Sequence, residues 1–233
     1  MEDKGWMPDL RFGVAVQDKW VDWARALSSY PELGTVELPF EAWAGSSSQP
    51  CDICLRLGEA FVAPALGEEN ARAEVAYRAA MKILKMGPKP MPSAFLLEFP
   101  SAVTHSAAAR RHLDRVVKDL EGLPLAVAFQ GAGWYSARVV EGLKARGAAL
   151  CLLDMAREPG APPSIDVVTS SLVYVKLREE TDISSWLARI EALAAQAETV
   201  RVIFSCSEDR GVEAAMEKAA LMARLWLARA EGG

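Results

Sequence analysis

The stretch AFLLEFP at residues 94–100, followed by LAVAF at 125–129 and ALCLL at 149–153, sets the pattern of the whole chain. Each run is short and nearly all apolar, which is typical of a β-strand buried on both faces. The intervals between the runs show the helical spacing of apolar side chains, at Leu113, Val116, Val117 and Leu120 and then at Val139, Val140 and Leu143. Strands that alternate with helices favour a parallel sheet, because parallel neighbours need a crossover connection.

The same alternation of strand-like and helix-like segments continues on both sides of this stretch. Further strand-like runs lie at residues 11–16, 35–38, 51–57, 172–177 and 200–204. Roughly eight strands and seven helices in 233 residues fit a compact α/β fold, a (β/α)₈ TIM-like barrel, in one domain that spans residues 1–233. The alternative is an open, doubly wound parallel sheet.

The composition is that of an ordinary globular protein, with 51% hydrophobic residues and a net charge of −5. The acidic balance argues against a general nucleic-acid binder, which carries a basic face. The first ten residues lack the apolar run of a signal peptide, and no stretch has the length and apolarity of a membrane span. We therefore expect a cytoplasmic protein that is not a membrane protein, and the sequence leaves its oligomeric state open.

Several short segments occur in an order that is familiar from one family. AVAFQGAGW at 126–134 looks like the motif AVEFRHxSW, residues 143–154 look like LLxxxGVALxxxD, and YVKLR at 174–178 looks like YVRLH. Further likenesses lie at 36–40 (VEINSTF), at 86–100 (LGP…FQLP) and from residue 204 to 214 (FNND…G…A). Together these segments resemble the YecE-like family of barrel proteins, whose function is unknown. The resemblance implies a TIM-like barrel, in agreement with the alternation of strands and helices.

The chain departs from the family motifs at polar positions. The positions that match are Glu37, Trp134, Asp154 and Tyr174. The positions that differ are Ala128, Gln130, Gly131, Lys176 and Arg178, where the family motifs have Glu, Arg, His, Arg and His. The resemblance therefore implies a divergent member, and it leaves open whether this protein is an enzyme.

Polar residues follow several of the predicted strands, at the end of a barrel where active sites lie. These candidates are Glu37, Glu98, Gln130, Asp154, Lys176, Arg178 and the segment 205–209. The alternation of a strand puts Tyr174, Lys176 and Arg178 on one face, which we expect to point into the barrel. Buried cations need counter-charges, and Glu37, Glu98 and Asp154 can supply them.

Two hypotheses follow for this end of the barrel. In the first, the protein is an enzyme, or the relic of one, that binds a small phosphate- or carboxylate-bearing ligand. Lys176 and Arg178 hold the anion, and Glu37 or Asp154 is the acid/base. The remaining ligand contacts in this hypothesis are Tyr174, Trp134, Gln130 and Glu98. In the second, these residues form a structural ion-pair network, and the barrel is a non-catalytic binding or scaffold protein.

The cysteines and histidines do not indicate a metal site. Cys51 and Cys54 form a CxxC at the start of a predicted strand, where alternation puts the two sulfurs on opposite faces, and no second CxxC completes a zinc site. His105 and His112 share roughly one face of a predicted outer helix, without a third ligand nearby. We expect both on the helix surface, with His105 nearer the mouth of the barrel. The sequence contains no nucleotide-binding motif and identifies no cofactor.

Overall fold

The computed structural model describes residues 8–16, 23–44, 51–66, 71–87, 90–154, 161–206 and 211–232, which form parallel strands and the helices around them. The strands are β1 (Asp9–Ala15), β2 (Thr35–Pro39), β3 (Asp52–Leu57), β4 (Ala94–Phe99), β5 (Leu125–Phe129), β6 (Ala149–Leu150), β7 (Leu152–Leu153), β8 (Leu172–Arg178) and β9 (Thr199–Ser205). The α-helices are α1 (Trp23–Leu27), α2 (Phe40–Ala44), α3 (Ala71–Met86), α4 (Ala107–Asp119), α5 (Ala137–Ala145), α6 (Ile183–Ala194) and α7 (Gly211–Gly232). None of the described helices is long and apolar enough to cross a membrane.

The sheet closes almost completely on itself. Its strand order is β6-β5-β4-β3-β2-β1-β9-β8-β7, and every pair is parallel. β6 and β7 are two halves of one segment, interrupted at Cys151, of which β6 pairs with β5 and β7 pairs with β8. The TIM-like barrel is therefore confirmed. The alternative of an open sheet is wrong, because β9 returns to pair with β1 and the two outermost strands adjoin each other along the chain.

Local sequence signals set the ends of the outer helices. Ser106 and Ser136 precede α4 and α5, and each side chain accepts a hydrogen bond from a backbone N–H in the first turn of its helix. Gly147 follows α5 with a φ of 65°, the left-handed conformation that glycine adopts most readily at the end of a helix. The chain then enters β6 at Ala149. These signals align the starts of the helices with the ends of the strands that precede them.

The inward-facing side chains of the strands are small over much of the barrel. Ala94, Ala126, Ala128 and Ala149 belong to an inner cluster of buried residues, which is separate from the larger core between strands and helices. At Gly13 the strands approach so closely that a Cβ would overlap the Thr35 carbonyl oxygen. Small inner side chains leave room for longer polar side chains at the end of the barrel where the strands finish.

Candidate functional site

The Glu37 carboxylate is the centre of the candidate site. Glu37 is the middle residue of β2, and its side chain is completely buried inside the barrel. The Tyr174 hydroxyl donates a hydrogen bond to Oε2 at 2.8 Å, and the Lys176 ammonium nitrogen lies 3.3 Å from Oε1. That ion pair is not aligned as a hydrogen bond, and Oε1 accepts none from the described residues. One acceptor of a buried carboxylate is thus left for another donor.

Lys176 connects Glu37 to a second carboxylate, that of Glu98. The Lys176 ammonium donates a hydrogen bond to Glu98 Oε2 at 3.1 Å. The Gln130 side-chain amide donates to Glu98 Oε1 at 2.9 Å. These side chains form what we call the mouth network, which consists of Glu37, Tyr174, Lys176, Glu98 and Gln130. The structure thus brings together five of the residues that the sequence analysis proposed for the site.

The register of the sheet explains why these side chains meet. Glu98 lies beside Ala128 on β5, and Glu37 lies between Ala15 on β1 and Cys54 on β3. Neighbours this small leave space for side chains that reach across the barrel from opposite strands. Lys176, which projects from β8, uses that space to reach both carboxylates.

The mouth network is electrostatically coupled. Burial alone raises the pKa of Glu98, but the Lys176 charge and the Gln130 hydrogen bond outweigh this effect and lower the pKa below its ordinary value. Burial lowers the pKa of Lys176, whereas the charges of Glu37 and Glu98 raise it, and the net pKa is raised. Burial holds the pKa of Tyr174 well above its ordinary value, so its hydroxyl stays protonated and donates to Glu37. Near neutral pH, Lys176 and Glu98 are therefore both charged.

Arg56 belongs to the site, although the sequence analysis did not select it. It is the next-to-last residue of β3, and its Nε lies 3.8 Å from Glu37 Oε1. Its side chain is 30% exposed and makes no hydrogen bond within the described part of the chain. The alternation that puts Cys54 inside the barrel also puts Arg56 inside, two residues nearer the end of β3. The sequence carries this signal in the spacing of two residues between Cys54 and Arg56.

An open cavity of about 550 Å³ lies at the ends of β2 to β5. Arg56, Glu98 and Gln130 line it, together with the exposed carboxylates of Glu41 and Glu59. The Glu37 and Tyr174 side chains lie deeper, behind this wall. The volume is within the range of small-molecule sites. A ligand in the cavity would therefore contact Arg56, Glu98 and Gln130 first.

Three proposed residues lie apart from the mouth network. Asp154 accepts a hydrogen bond from the Thr181 hydroxyl, and no ion pair joins it to a described cation. Arg178 is the last residue of β8; it is exposed and lies 3.9 Å from Glu180. Trp134 is buried in the core, where it stacks on Phe129 and donates its indole N–H to the Val103 carbonyl. Of the segment 205–209, residues 207–209 lie outside the described residues.

The cysteines and histidines occupy separate places. The Cys51 and Cys54 thiols are free, and burial raises their pKa values to about 11 and about 12, which disfavours a reactive thiolate. The expectation that His112 lies on the helix surface is wrong. Its ring is buried and Nε2 lies 2.7 Å from the Phe61 carbonyl oxygen. Within the described ranges, no three His, Cys, Asp or Glu side chains are grouped so that they could hold a metal ion.

The sequence matches one family model, described as a protein of unknown function, DUF72, over residues 39–231. The chain belongs to the DUF72 family. This match covers β3 to β9 and therefore most of the barrel, including Arg56, Glu98 and Lys176. A search of curated proteins gives no match.

Solved structures of DUF72 proteins share the fold. A crystal structure of a DUF72 family protein from Enterococcus faecalis aligns with a TM-score of 0.72 at 17% identity, over 96% of this chain and 99% of the other. A DUF72 family protein from Thermotoga maritima aligns with a TM-score of 0.68 at 14% identity, over 94% of this chain and 99% of the other. At these identities the likeness establishes the barrel and carries no information about ligand or reaction.

Proposed function

We propose that this DUF72 protein binds a small ligand with a carboxylate or phosphate group in the cavity at the mouth of the barrel. The observation that carries the proposal is the Arg56 guanidinium, which faces the cavity with no hydrogen bond within the described part of the chain. Guanidinium groups bind carboxylate and phosphate oxygens in a two-pronged geometry. The finer assignment to the YecE-like branch is part of the proposal and rests on the sequence motifs.

Lys176 does not bind the anion directly in this proposal. Its charge is already shared between Glu37 and Glu98, at 3.3 and 3.1 Å. Replacing such buried ion pairs with apolar residues often stabilises a protein, so a network of this kind points to a functional use. Lys176 holds the two carboxylates in place, while Arg56 takes the anionic group and Gln130 and Glu98 contact the rest of the ligand.

If the protein is an enzyme, Glu37 is the candidate acid/base. Its Oε1 has no hydrogen-bond donor among the described residues and lies beside Arg56, where the anionic group would sit. Its Oε2 accepts a hydrogen bond from the Tyr174 hydroxyl, which holds the carboxylate in position behind Arg56. Asp154 is a weaker candidate, because its carboxylate is joined to Thr181 instead.

The second candidate function is a non-catalytic barrel that binds or positions a partner. The observation in its favour is the internal balance of the mouth network. Two cations, Lys176 and Arg56, face two carboxylates, Glu37 and Glu98, and each cation lies within 4 Å of at least one of them. A network in this state needs no ligand for charge balance.

A thermal-shift screen with a matched pair of variants separates the two candidates. The probes are inorganic phosphate, acetate, citrate, sugar phosphates and nucleotides. A ligand at 100 times its dissociation constant adds about 2.7 kcal/mol to the free energy of unfolding, which shifts the melting temperature by several degrees. We expect Arg56→Gln to remove the shift and Arg178→Gln, the loss of an exposed arginine at the end of β8, to preserve it.

The outcomes are distinct. A shift that survives in Arg56→Gln contradicts the proposed site. No shift with any probe in the wild-type protein favours the non-catalytic barrel. Turnover of a bound ligand that Glu37→Gln abolishes, with binding retained, would support the acid–base role.

A further inference from the structure

A second cavity lies on the outside of the barrel, in a groove between α4 and α5. Its volume is about 500 Å³. Four apolar side chains, Leu113, Val117, Val139 and Leu143, contribute to its wall. The rest of its lining is mainly basic. We call this cavity the α4–α5 groove; Arg56 and the mouth network do not line it.

Three of the four arginines that line the groove lack side-chain partners among the described residues. Arg146 forms an ion pair with Asp114 at 3.0 Å, which accounts for the acidic side chain in the lining. Arg110, Arg111 and Arg138 make no side-chain hydrogen bond or ion pair with any described residue. Three uncompensated guanidinium groups thus line one groove of a chain whose net charge is −5. This local excess of positive charge opposes the overall charge of the chain.

Two of these three arginines are unfavourably placed for the stability of their own helices. Arg110 lies in the first turn of α4 and Arg138 is the second residue of α5, and neither helix has an acidic residue in its first turn. The N-terminal end of a helix carries partial positive charge, so basic side chains there weaken the helix. A bound anion would offset both helix termini and the three guanidinium charges at once.

His105 provides an independent sign of a missing partner. Its Nε2 atom is buried without a hydrogen-bond partner among the described residues, and its ring centre lies 4.8 Å from that of Trp134. Burial, followed by the charges of Arg110 and Arg138, lowers the pKa of His105. A buried polar atom without a partner is uncommon in folded proteins, and this one belongs to a residue that lines the same groove as the arginines.

We propose that the α4–α5 groove binds a small phosphate ester. The phosphate group lies among Arg110, Arg111 and Arg138, on the side of the groove that His105 lines. The organic part of the ligand packs on Leu113, Val117, Val139 and Leu143. Three unpaired guanidinium groups suit a dianionic phosphate better than a single carboxylate, and the apolar wall favours an ester over the inorganic ion.

The test is calorimetric titration of the wild-type protein with phenyl phosphate, inorganic phosphate and phenol. We expect phenyl phosphate to bind most tightly, because only this probe uses both the arginines and the apolar wall. Arg110→Gln/Arg138→Gln should weaken its binding by at least about tenfold, since each charge-assisted hydrogen bond contributes about that much. The matched control is Lys118→Gln/Lys144→Gln, which removes two exposed charges from the last turns of the same two helices and should leave binding unchanged.

A third variant tests the location without altering charge. Gly142 lines the groove, and a Cβ there would only touch Arg146 Nη1 at 3.6 Å. Gly142→Leu should therefore fold and fill part of the groove, and we expect it to abolish phenyl phosphate binding. Without ligand, the double arginine variant should melt at least as high as the wild type, because it relieves the charge repulsion at the two helix termini.

Three results would overturn the proposal. They are the absence of phenyl phosphate binding to the wild-type protein, equal binding by the double arginine variant, and binding that Arg56→Gln removes while the groove variants retain it. The last result would instead assign the phosphate to the mouth of the barrel, so the two proposals fail separately. Salt-sensitive self-association that the double arginine variant loses, without any binding of phenyl phosphate, would show that the groove receives a second copy of the chain.

Discussion

Each end of the barrel contains a buried cation between two carboxylates. The two ends differ in how many of their hydrogen-bonding groups have partners. Arg201 lies where the strands begin and Lys176 where they finish. Both are buried, with side-chain exposures of 2% and 10%, and each has two carboxylates within 3.3 Å. The basal cluster consists of Arg201, Asp9, Asp52 and Ser93. Its counterpart is the mouth network with the adjacent Arg56.

The difference lies in the hydrogen bonds. All three nitrogens of the Arg201 guanidinium donate, to the Asp9 carboxylate and carbonyl, to the Val200 carbonyl and to the Ser93 hydroxyl. At the other end, Glu37 Oε1 accepts no hydrogen bond and Arg56 donates none within the described part of the chain. A cluster whose hydrogen-bonding groups already have partners has none left for a ligand. A cluster beside a cavity with a free donor and a free acceptor can bind one. The basal cluster is therefore structural, and the mouth is where we propose that ligand binds.

The largest predicted loss of stability comes from a substitution in the basal cluster. Arg201→Met leaves two carboxylates near a buried apolar side chain, and loss of one member of a buried ion pair costs about 3–5 kcal/mol. We expect the free energy of unfolding, measured with urea, to fall by about this amount. Arg11→Gln is the control, since Arg11 contacts the same two carboxylates from a position that is 39% exposed. Arg11→Gln should lower the free energy of unfolding by less than about 1 kcal/mol. Equal losses of stability in the two variants would contradict the structural role of the basal cluster.

A smaller effect is expected from the equivalent change at the mouth. Lys176→Met removes the cation between Glu37 and Glu98, but water from the adjoining cavity can solvate part of the charge. We expect a loss of about 2 kcal/mol in the free energy of unfolding, close to that of a hydrogen bond to a charged group. The triple variant Glu37→Gln/Lys176→Met/Glu98→Gln should recover most of it, because the network then carries no charge and Arg56, which loses the Glu37 carboxylate, is 30% exposed and reaches water. If the triple variant is less stable than Lys176→Met, the mouth is a structural cluster like the base.

A smaller effect is expected on the pH dependence of stability, through Glu98 of the mouth network. The folded pKa of Glu98 lies below its ordinary value of 4.5, so its contribution to stability is present above that pH and is lost as pH falls through the folded pKa. Glu98→Gln should therefore be less stable than the wild type at pH 7, and the difference should shrink below about pH 4.5. Glu59→Gln, which removes an exposed carboxylate from the same cavity wall, should follow the wild-type profile. A constant difference between Glu98→Gln and the wild type from pH 7 to pH 3 would contradict this coupling.

The fold was predictable because its signals are local and repeated. Apolar runs such as LAVAF at 125–129, helix caps such as Ser136 and the stop at Gly147 each mark one element, and their alternation admits few arrangements. The break of one strand at Cys151 into β6 and β7 was not predictable, because a continuous apolar run carries no sign of an interruption in pairing. His112 was misplaced for a similar reason. It lies three residues after Ala109 and four before Val116, on the buried face of α4. The sequence does not show the Phe61 carbonyl that gives the buried ring a hydrogen-bond partner.

The candidate site was predictable as a region but not as a set of contacts. Alternation along β8 correctly grouped Tyr174 with Lys176, because both lie within the length of the barrel wall. Alternation does not show where the wall ends, and Arg178 is already exposed at the end of β8. Nor does it show which cation lacks a hydrogen bond to the described residues. Arg56 differs from Lys176 only through distances between strands that are far apart in the sequence.

Arg178 therefore gives the smallest predicted effect. Its side chain is 48% exposed and its nearest carboxylate, that of Glu180, is equally exposed at 3.9 Å. Arg178→Gln should change the free energy of unfolding by less than about 0.5 kcal/mol, as is usual for exposed positions without a special role. It should also leave binding at the mouth intact, whereas Arg56→Gln removes it with a similarly small effect on stability. Loss of binding in Arg178→Gln would mean that the end of β8 folds over the cavity when ligand binds, and that the cation selected from the sequence, rather than Arg56, grips the anion.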